Sequence, residues 1–258
     1  MIEFTIITCT YNAAKTCERT FKSVLQQTFP SIEHIIIDGC SKDDTLALAK
    51  QYVEENVNSG SKHLVEIVSE PDKGLYDAMN KGIEKAKGNY ILFLNAGDTF
   101  PSENTLNQIA DAVGNIDKLP AVLYGDTDIV DMDGNFVRHR RLSPPDNLSW
   151  RSFKHGMLVC HQAFYARTDI AKLTPYNLKY RFSADVDWCI RIMKEAEKQQ
   201  LPLKNIGMVV ANFMDGGMTN THHKASLIER FSLMCHHYGI ISTLSMHVWF
   251  ALRALWKK

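Results

Sequence analysis

The stretch from Tyr90 to Asp98 places the strongest constraint on the fold. Residues 90–94 (YILFL) form a continuous apolar run with no polar alternation, which is typical of a strand buried on both faces of a parallel sheet. The turn 95–98 (NAGD) follows directly. In open α/β sheets, ligands bind outside the carboxyl ends of the strands. We therefore expect this turn to belong to a binding site.

The residues before this turn alternate between strand and helix patterns. β-Branched and apolar runs predict strands at 4–10, 34–38 and 64–68, and apolar residues at spacings of three and four predict helices between them. Ser41 is the expected N-cap of the second helix, and Gly88 the expected left-handed cap after the third. The pattern predicts an α/β fold with a mostly parallel central sheet flanked by helices. No G-x-G-x-x-G follows the first strand, so the usual dinucleotide fingerprint is absent.

Composition excludes some partners. The chain has 258 residues, with 29 basic and 29 acidic side chains, and this balance gives no argument for a nucleic-acid partner. Its 6 cysteines are scattered, without a Cys-x-x-Cys pair. The first residues predict a strand rather than a signal peptide. We therefore expect free thiols and a cytoplasmic location.

Three acids stand at or just beyond predicted strand ends: Asp38, Asp72 and Asp98. Each alone is explained as a turn residue, because Asp is common in turns. Their recurrence at one sheet edge favours a site, where an acid beside a glycine could hold a divalent cation and a diphosphate.

Four segments, in this order, resemble the family 2 glycosyltransferases of GT-A fold: 8–12 (TCTYN), 38–45 (DGCSKDDT), 70–82 (EPDKGLYDAMNKG) and 93–98 (FLNAGD). The likeness is greatest to bacterial exopolysaccharide enzymes of the colanic-acid type. It implies a GT-A domain over 1–220, with a nucleotide-binding half (1–98) and an acceptor and catalytic half (99–220), followed by a helical appendage (221–258).

The resemblance implies an inverting transfer of a sugar from a nucleoside-diphosphate donor, most often a UDP sugar, to a saccharide or polyprenyl-linked acceptor in cell-surface polysaccharide synthesis. It also implies the residues of the donor site, which are Thr10, Tyr11, Asn12, Asp38, Asp72, Lys73, Gly74, Asn95 and Ala96. Asp98 matches the last acid of the family's metal-binding turn, with His222 as a further candidate ligand for Mg²⁺ or Mn²⁺. The family often has Asp-x-Asp-Asp where this chain has Asn-Ala-Gly-Asp, so the cation would depend largely on the diphosphate.

The segment 182–191 (FSADVDWCIR) resembles the family's Glu-Asp motif at the start of a helix, with Ala184 in place of the glutamate. Asp185 then matches the catalytic base, while a plain helix N-cap is the alternative for Asp185 or Asp187. Candidates for contacts with the acceptor or the diphosphate are Arg140, Arg141, His161, Gln162, Gly216 and Gly217. The basic run could instead be a solvated flank, and His161 a core histidine.

The tail from 240 to 258 has apolar residues at helical spacing, with tryptophans and basic residues. It is too short and too interrupted for a membrane span, and an interfacial helix on the membrane surface fits better. A helix packed on the core or on a second subunit is the alternative. Two other functions stay open: a nucleotidyltransferase, although no glycine-rich loop follows the first strand, and a non-catalytic sugar-nucleotide-binding or scaffold protein.

Overall fold

The first half of the chain alternates strands and helices. The structure is a computed structural model that describes residues 3–114, 118–215 and 223–255. The predicted strands and helices of this half are confirmed, and their bounds are β1 Phe4–Thr10, α1 Cys17–Leu25, β2 Ile32–Asp38, α2 Thr45–Asn58, β3 Leu64–Ser69, α3 Leu75–Lys85 and β4 Tyr90–Phe93.

The second half is more irregular. Its helices and strands are α4 Thr105–Val113, β5 Val122–Val130, β6 Phe136–His139, two 3-10 helices at Trp150–His155 and His161–Ala163, β7 Phe164–Arg167, α5 Thr168–Leu173, α6 Ala184–Lys198, β8 Leu203–Met214, α7 His223–Tyr238 and α8 Ile240–Leu255. Strands β5 and β6 form an antiparallel hairpin, with Val130 opposite Phe136. The short elements β7 and α5 were not predicted.

The strands form one mixed sheet in the order β3-β2-β1-β4-β7-β5-β6, with β8 also paired to β5. The first four strands in this order are parallel to one another, whereas β7 is antiparallel to both β4 and β5. Thr10 lies opposite Asp38, and Asp38 opposite Ser69. The carboxyl ends of β1, β2 and β3 therefore meet at one edge.

The main core lies on the sheet and under its helices. All seven residues of β1 and all four of β4 are buried, which confirms that the run from Tyr90 is covered on both faces. Trp188 of α6 is fully buried and contacts Phe93 and Phe164 in edge-to-face geometry. This packing places the start of α6 close to the end of β4.

Two local predictions were wrong. Ser41 does not cap α2, which begins at Thr45, because its hydroxyl instead donates to the Asp38 carboxylate. Gly88 is not among the residues with positive φ. A side chain there would lie 2.9 Å from the backbone of Glu3 and Thr5, so this glycine is required by the close approach of β1.

Glu229 and Tyr238 are among the residues that dock α7 on the rest of the domain. The Glu229 carboxylate accepts hydrogen bonds from the backbone N–H groups of Arg181, Phe182 and Ser183, at 2.7–2.8 Å. The Tyr238 hydroxyl donates to the Trp150 carbonyl at 2.6 Å. The domain boundary predicted near residue 220 stays a prediction. Among the described residues, the helices are all too short or too polar to cross a bilayer.

Candidate active site

Asp38 orders the loops around the expected nucleotide pocket. Its carboxylate accepts hydrogen bonds from the Thr10 hydroxyl at 3.1 Å, the Ser69 hydroxyl at 2.8 Å, and both the hydroxyl and the backbone N–H of Ser41. Burial alone would raise the pKa of Asp38, but these hydrogen bonds outweigh it and lower the pKa. A carboxylate offers about four acceptor positions, so the side chain is saturated by its own chain rather than free for a base or ribose.

Tyr11 and Asp72 converge over Gly39. A methyl group added to Gly39 would lie 2.4 Å from Oδ2 of Asp72 and 3.3 Å from the Tyr11 ring. Tyr11 is 65% exposed, which is unusual for a large aromatic side chain. The Asp72 carboxylate also accepts from the Gly74 N–H at 2.8 Å. The structure thus brings an exposed ring and a carboxylate together at the ends of β1 and β2.

Asn12 joins the loop after β1 to the loop after β2. It adopts a left-handed conformation with φ of 49°, and its side-chain oxygen accepts from the Lys42 N–H at 2.8 Å. Its own N–H donates to the Ser41 hydroxyl. Lys73 and Gly74 are exposed beside Asp72, so these predicted donor-site residues share one surface.

The turn 95–98 is held by a threonine of α1. The Thr20 hydroxyl accepts from the Gly97 N–H at 2.8 Å and donates to the Asp98 carbonyl at 2.7 Å. Asn95 and Ala96 are half-buried. The side-chain oxygen of Asn95 is buried and has no hydrogen-bond partner among the described residues.

Asp98 is buried and connects three segments of the chain. It is 3% exposed, and its carboxylate accepts from Gln162 Nε2 at 2.8 Å and from the Met214 N–H at 2.9 Å. Burial raises the pKa of Asp98 to about 7, although both hydrogen bonds act in the opposite direction. The side chain therefore joins the turn to the segment after Cys160 and to the end of β8.

The assignment of Asp98 as a metal ligand stays a prediction. Each of its carboxylate oxygens accepts one hydrogen bond from the protein, which leaves two of about four acceptor positions. At Gly97, where the family often has an acid, a side chain would lie 2.5 Å from the Met214 methyl. Within the described parts of the chain, no group of three His, Cys, Asp or Glu side chains is placed to bind a metal. His222, Gly216 and Gly217 lie outside the described residues.

Asp185 lies in the first turn of α6, beside the nucleotide-binding half. Its Oδ1 accepts from the Tyr76 hydroxyl at 3.3 Å and from the Val186 N–H at 2.9 Å. Tyr76 belongs to α3, just after the segment that carries Asp72. Burial, with the nearby Asp185 charge, holds the pKa of Tyr76 well above its usual value, so this phenol is a stable donor.

Asp187, two residues further on, has a different environment. It is 1% exposed and accepts hydrogen bonds from Arg191 Nε at 2.6 Å and His237 Nε2 at 2.8 Å. Burial would raise the pKa of Asp187, but these two partners lower it. Asp187 is thus a fixed ion-pair residue between α6 and α7, whereas Asp185 is half-buried and keeps a second carboxylate oxygen for which no hydrogen bond is observed among the described residues.

The remaining predicted site residues that the structure describes mainly contact other residues of the protein. His161 is buried, stacks on Phe93 and bonds to the Tyr176 hydroxyl, and burial lowers the pKa of His161 to about 4. Arg140 donates to the carbonyls of Leu142, Met157 and Leu158. Arg141 is exposed. Their roles toward an acceptor or a diphosphate stay predictions.

Sequence reasoning missed three residues that organise the site: Thr20, Tyr76 and Glu229. Tyr76 lies inside the predicted segment 70–82 and could have been identified from it. Thr20 and Glu229 act across 77 and 46 residues respectively, and no local pattern marks such contacts.

The comparisons with known proteins agree with this geometry. The sequence model of Glycosyl transferase family 2 matches residues 5–174, and the chain belongs to this family. A PGL/p-HBAD biosynthesis glycosyltransferase of Mycobacterium bovis is 32% identical over 232 residues, which cover 89% of this chain and 84% of the relative. The putative teichuronic acid biosynthesis glycosyltransferase TuaG of Bacillus subtilis is 36% identical over 40% of this chain and 39% of its own length.

Solved structures confirm the GT-A fold. S. aureus TarS 1-349 in complex with UDP-GlcNAc has a TM-score of 0.68 and 16% identity, covering 96% of this chain and 73% of TarS. The mannosyltransferase PcManGT from Pyrobaculum calidifontis, in complex with GDP-Man and Mn²⁺, has a TM-score of 0.62 and 15% identity, covering 97% and 75%. At these identities the likeness concerns the fold, while membership of the family defines this chain as a glycosyltransferase.

Proposed function

We propose that this glycosyltransferase is inverting, with Asp185 as its base and a nucleoside-diphosphate sugar as its donor. The observation that carries the proposal is the contact between Asp185 and Tyr76 at 3.3 Å. It holds a half-buried carboxylate of the second half against α3, which directly follows the segment that carries Asp72. A base beside the donor pocket is what a direct displacement requires.

The proposed reaction is a single displacement at the anomeric carbon. The acceptor hydroxyl gives its proton to the Asp185 carboxylate while its oxygen bonds to the anomeric carbon. The bond from that carbon to the diphosphate oxygen breaks on the opposite face, and the nucleoside diphosphate leaves with the electron pair. Because attack and departure take place on opposite faces, the configuration of the sugar inverts.

The donor site that we propose is the surface formed by Tyr11, Asp72, Lys73 and Gly74. The exposed Tyr11 ring gives a base a stacking partner, and the Asp72 carboxylate is an acceptor for ribose or base N–H and O–H groups. Asn95 supplies a buried amide oxygen without a partner among the described residues. We assign Asp38 to shaping the pocket rather than to direct contact, because its oxygens are already occupied.

A UDP sugar is the donor that we propose first. The proposed acceptor is a saccharide or a polyprenyl-linked saccharide in cell-surface polysaccharide synthesis. Support comes from the relative named for teichuronic acid biosynthesis and from the TarS complex with UDP-GlcNAc. The PcManGT complex carries GDP-Man, so GDP sugars belong in the same test. The location proposed for such an acceptor is the cytoplasmic side of a membrane.

Mg²⁺ or Mn²⁺ stays a prediction for the donor complex. Such a cation would offset the charge of the leaving diphosphate. The Asp98 carboxylate is engaged by Gln162 and Met214, so we derive no step through the metal and expect any bound cation to be held mainly by phosphate oxygens.

The test uses purified protein, a panel of UDP, GDP and dTDP sugars, and calorimetry alongside nucleotide release, each with Mn²⁺, with Mg²⁺ and with EDTA. We expect one donor to bind and to be hydrolysed slowly in the absence of an acceptor. Asp185→Asn should lower turnover by about 10²-fold to 10⁴-fold and leave donor affinity within about twofold.

The matched control is Glu195→Gln on the same helix, because that side chain pairs with Lys198 and Gln199 away from Tyr76. Turnover by this variant should equal that of the native protein. Full activity of Asp185→Asn would remove Asp185 from the mechanism. Donor binding by the native protein without nucleotide release, for every sugar nucleotide of the panel, would favour the non-catalytic binding function.

A further inference from the structure

The C-terminal helix α8 exposes apolar side chains. Ile241, Leu244, Val248, Trp249 and Leu252 are between 49% and 80% exposed. They recur at spacings of three and four, so they form one stripe along the helix. The side that faces the protein carries Thr243, which is fully buried, and His247, whose ring contacts Phe231 of α7, together with the half-buried Met246 and Phe250. An ordinary surface helix turns its large apolar residues toward the core, whereas these five face outward.

Helix α7 also carries exposed apolar side chains. Leu227 is 53% exposed and Ile228 is 73% exposed, and α7 packs directly against α8. We call the exposed apolar residues of the two helices the C-terminal apolar surface: Leu227, Ile228, Ile241, Leu244, Val248, Trp249 and Leu252. Contiguous apolar surfaces of this kind mark interaction sites on soluble proteins.

Charge identifies the occupant of this surface. From Leu227, where this surface begins, to Lys258 the sequence contains one acid, Glu229, and four basic residues, Arg230, Arg253, Lys257 and Lys258. The Glu229 carboxylate is already bound by the backbone before α6. A second copy of the chain would bring this basic segment against itself across a symmetric interface, which is electrostatically unfavourable. A surface with anionic lipid headgroups complements it, because juxtamembrane basic residues are attracted to such surfaces.

We infer that the C-terminal apolar surface binds the interface of an anionic lipid bilayer. The helix α8 has 16 residues and a length of about 24 Å, and it would lie in the membrane plane with its apolar stripe among the acyl chains. Trp249 fits the boundary between headgroups and chains, where amphipathic aromatic rings are favoured. The binding does not depend on the proposed transfer reaction, and its test requires neither donor nor acceptor.

Helix α7 connects the apolar stripe of α8 to the active-site region. Glu229 binds the start of α6, which carries Asp185, and α7 packs on α8. A membrane bound by α8 would therefore lie at a fixed relation to the proposed base. This arrangement suits an acceptor that is itself held in the bilayer.

The test is flotation of the full chain with vesicles of phosphatidylcholine alone or of equimolar phosphatidylcholine and phosphatidylglycerol, at low and high salt. We expect binding to the anionic vesicles, weaker binding to the neutral ones, and a loss of affinity with salt. The triple variant Ile241→Ser, Leu244→Ser, Val248→Ser should bind at least about tenfold more weakly. The variant Arg253→Gln, Lys257→Gln, Lys258→Gln should lose the preference for anionic vesicles.

The matched control is Val57→Ser with Leu64→Ser, because both residues are 69% exposed and lie outside α7 and α8. Its binding should equal that of the native protein. Circular dichroism melts monitor folding, and the single variant Ile241→Glu replaces the triple variant if the latter loses structure. Absence of vesicle binding by the native protein, or unchanged binding by the serine and Glu variants, would overturn the inference. A native dimer in light scattering that these variants convert to monomer would assign the surface to a second copy instead.

Discussion

The carboxylate of Asp187 on α6 lies 2.8 Å from Nε2 of His237 on α7, and both side chains are almost completely buried. Arg191 binds the other carboxylate oxygen. A buried charge is tolerated only when it is paired. The pair with His237 therefore keeps α7 on α6. Because α6 also carries Asp185, the position of the proposed base depends on a helix far along the chain.

Asp187→Asn should destabilise the protein by about 3 kcal/mol, since it leaves Arg191 without its buried partner. Chemical denaturation at neutral pH measures this cost. The matched control is Glu18→Gln, which breaks the exposed pair with Lys22 at the same four-residue spacing and should cost less than about 1 kcal/mol. Equal costs for the two variants would contradict a structural role for the buried pair.

The contribution of Asp187 to stability should also depend on pH. The folded protein holds the pKa of Asp187 below its ordinary value of 3.8, so the unfolded chain binds the proton first as the pH falls. The contribution is therefore complete above pH 3.8 and is lost as the pH falls through the lowered folded pKa. Denaturation midpoints of the native protein and Asp187→Asn should converge at acid pH, and a difference that persists there would contradict this assignment.

Tyr76→Phe should lower kcat by about threefold to tenfold and leave KM nearly unchanged, because one hydrogen bond to the proposed base is lost. Phenylalanine preserves the stack of this ring on Tyr176, whose centroids are 5.4 Å apart. Steady-state kinetics with the identified donor provide the measurement. A purely structural role would instead lower the melting temperature and leave kcat unchanged.

The fold could be predicted from the sequence where the signal was local. The apolar runs at 4–10 and 90–94 predicted buried strands because full burial on both faces removes polar alternation. β7 could not be predicted, since it has only four residues and forms by pairing with β4 and β5, which are distant in sequence.

In the candidate site, too, local motifs could be predicted from the sequence, whereas contacts between distant segments could not. The segments with Asp38, Asp72 and Asp185 were found because each carries a motif of its own. What each carboxylate contacts could not be read from them, since Asp38 is saturated by Thr10, Ser41 and Ser69, which lie on separate segments. Burial likewise distinguishes Asp187 from Asp185, although both stand in the first turn of the same helix.

Gly39→Ala should lower nucleotide affinity by about tenfold with little effect on the melting temperature. The added methyl group would lie 2.4 Å from Oδ2 of Asp72 and 3.3 Å from Tyr11, so it displaces the end of a side chain rather than the backbone. Gly39 has no positive φ, and alanine introduces no backbone strain there. Unchanged affinity by calorimetry would place the donor pocket elsewhere.

Asp98→Asn should remove a pH dependence of stability that the native protein shows between about pH 4 and pH 7. Burial raises the pKa of Asp98 from 3.8 to about 7, so the unfolded chain loses this proton before the folded protein does. The Asp98 contribution therefore becomes less favourable as pH rises through this range, and it is constant above it. The total change is on the order of 4 kcal/mol.

Asparagine keeps an oxygen for the Met214 N–H, and its NH2 group can donate to Gln162 once that amide turns its oxygen toward residue 98 and gives up its contact with Cys160. The variant should therefore fold and should equal or exceed the native protein in stability at pH 8. The control Asp98→Ala leaves both partners unsatisfied and should be less stable than Asp98→Asn at every pH. Calorimetry of donor binding with and without Mn²⁺ then tests whether Asp98 holds the metal. If phosphate oxygens hold the cation, donor affinity should depend on Mn²⁺ equally in Asp98→Asn and in the native protein. Loss of that dependence in Asp98→Asn, with the folded structure retained, would restore Asp98 as a metal ligand, because the substitution removes the negative charge of the carboxylate.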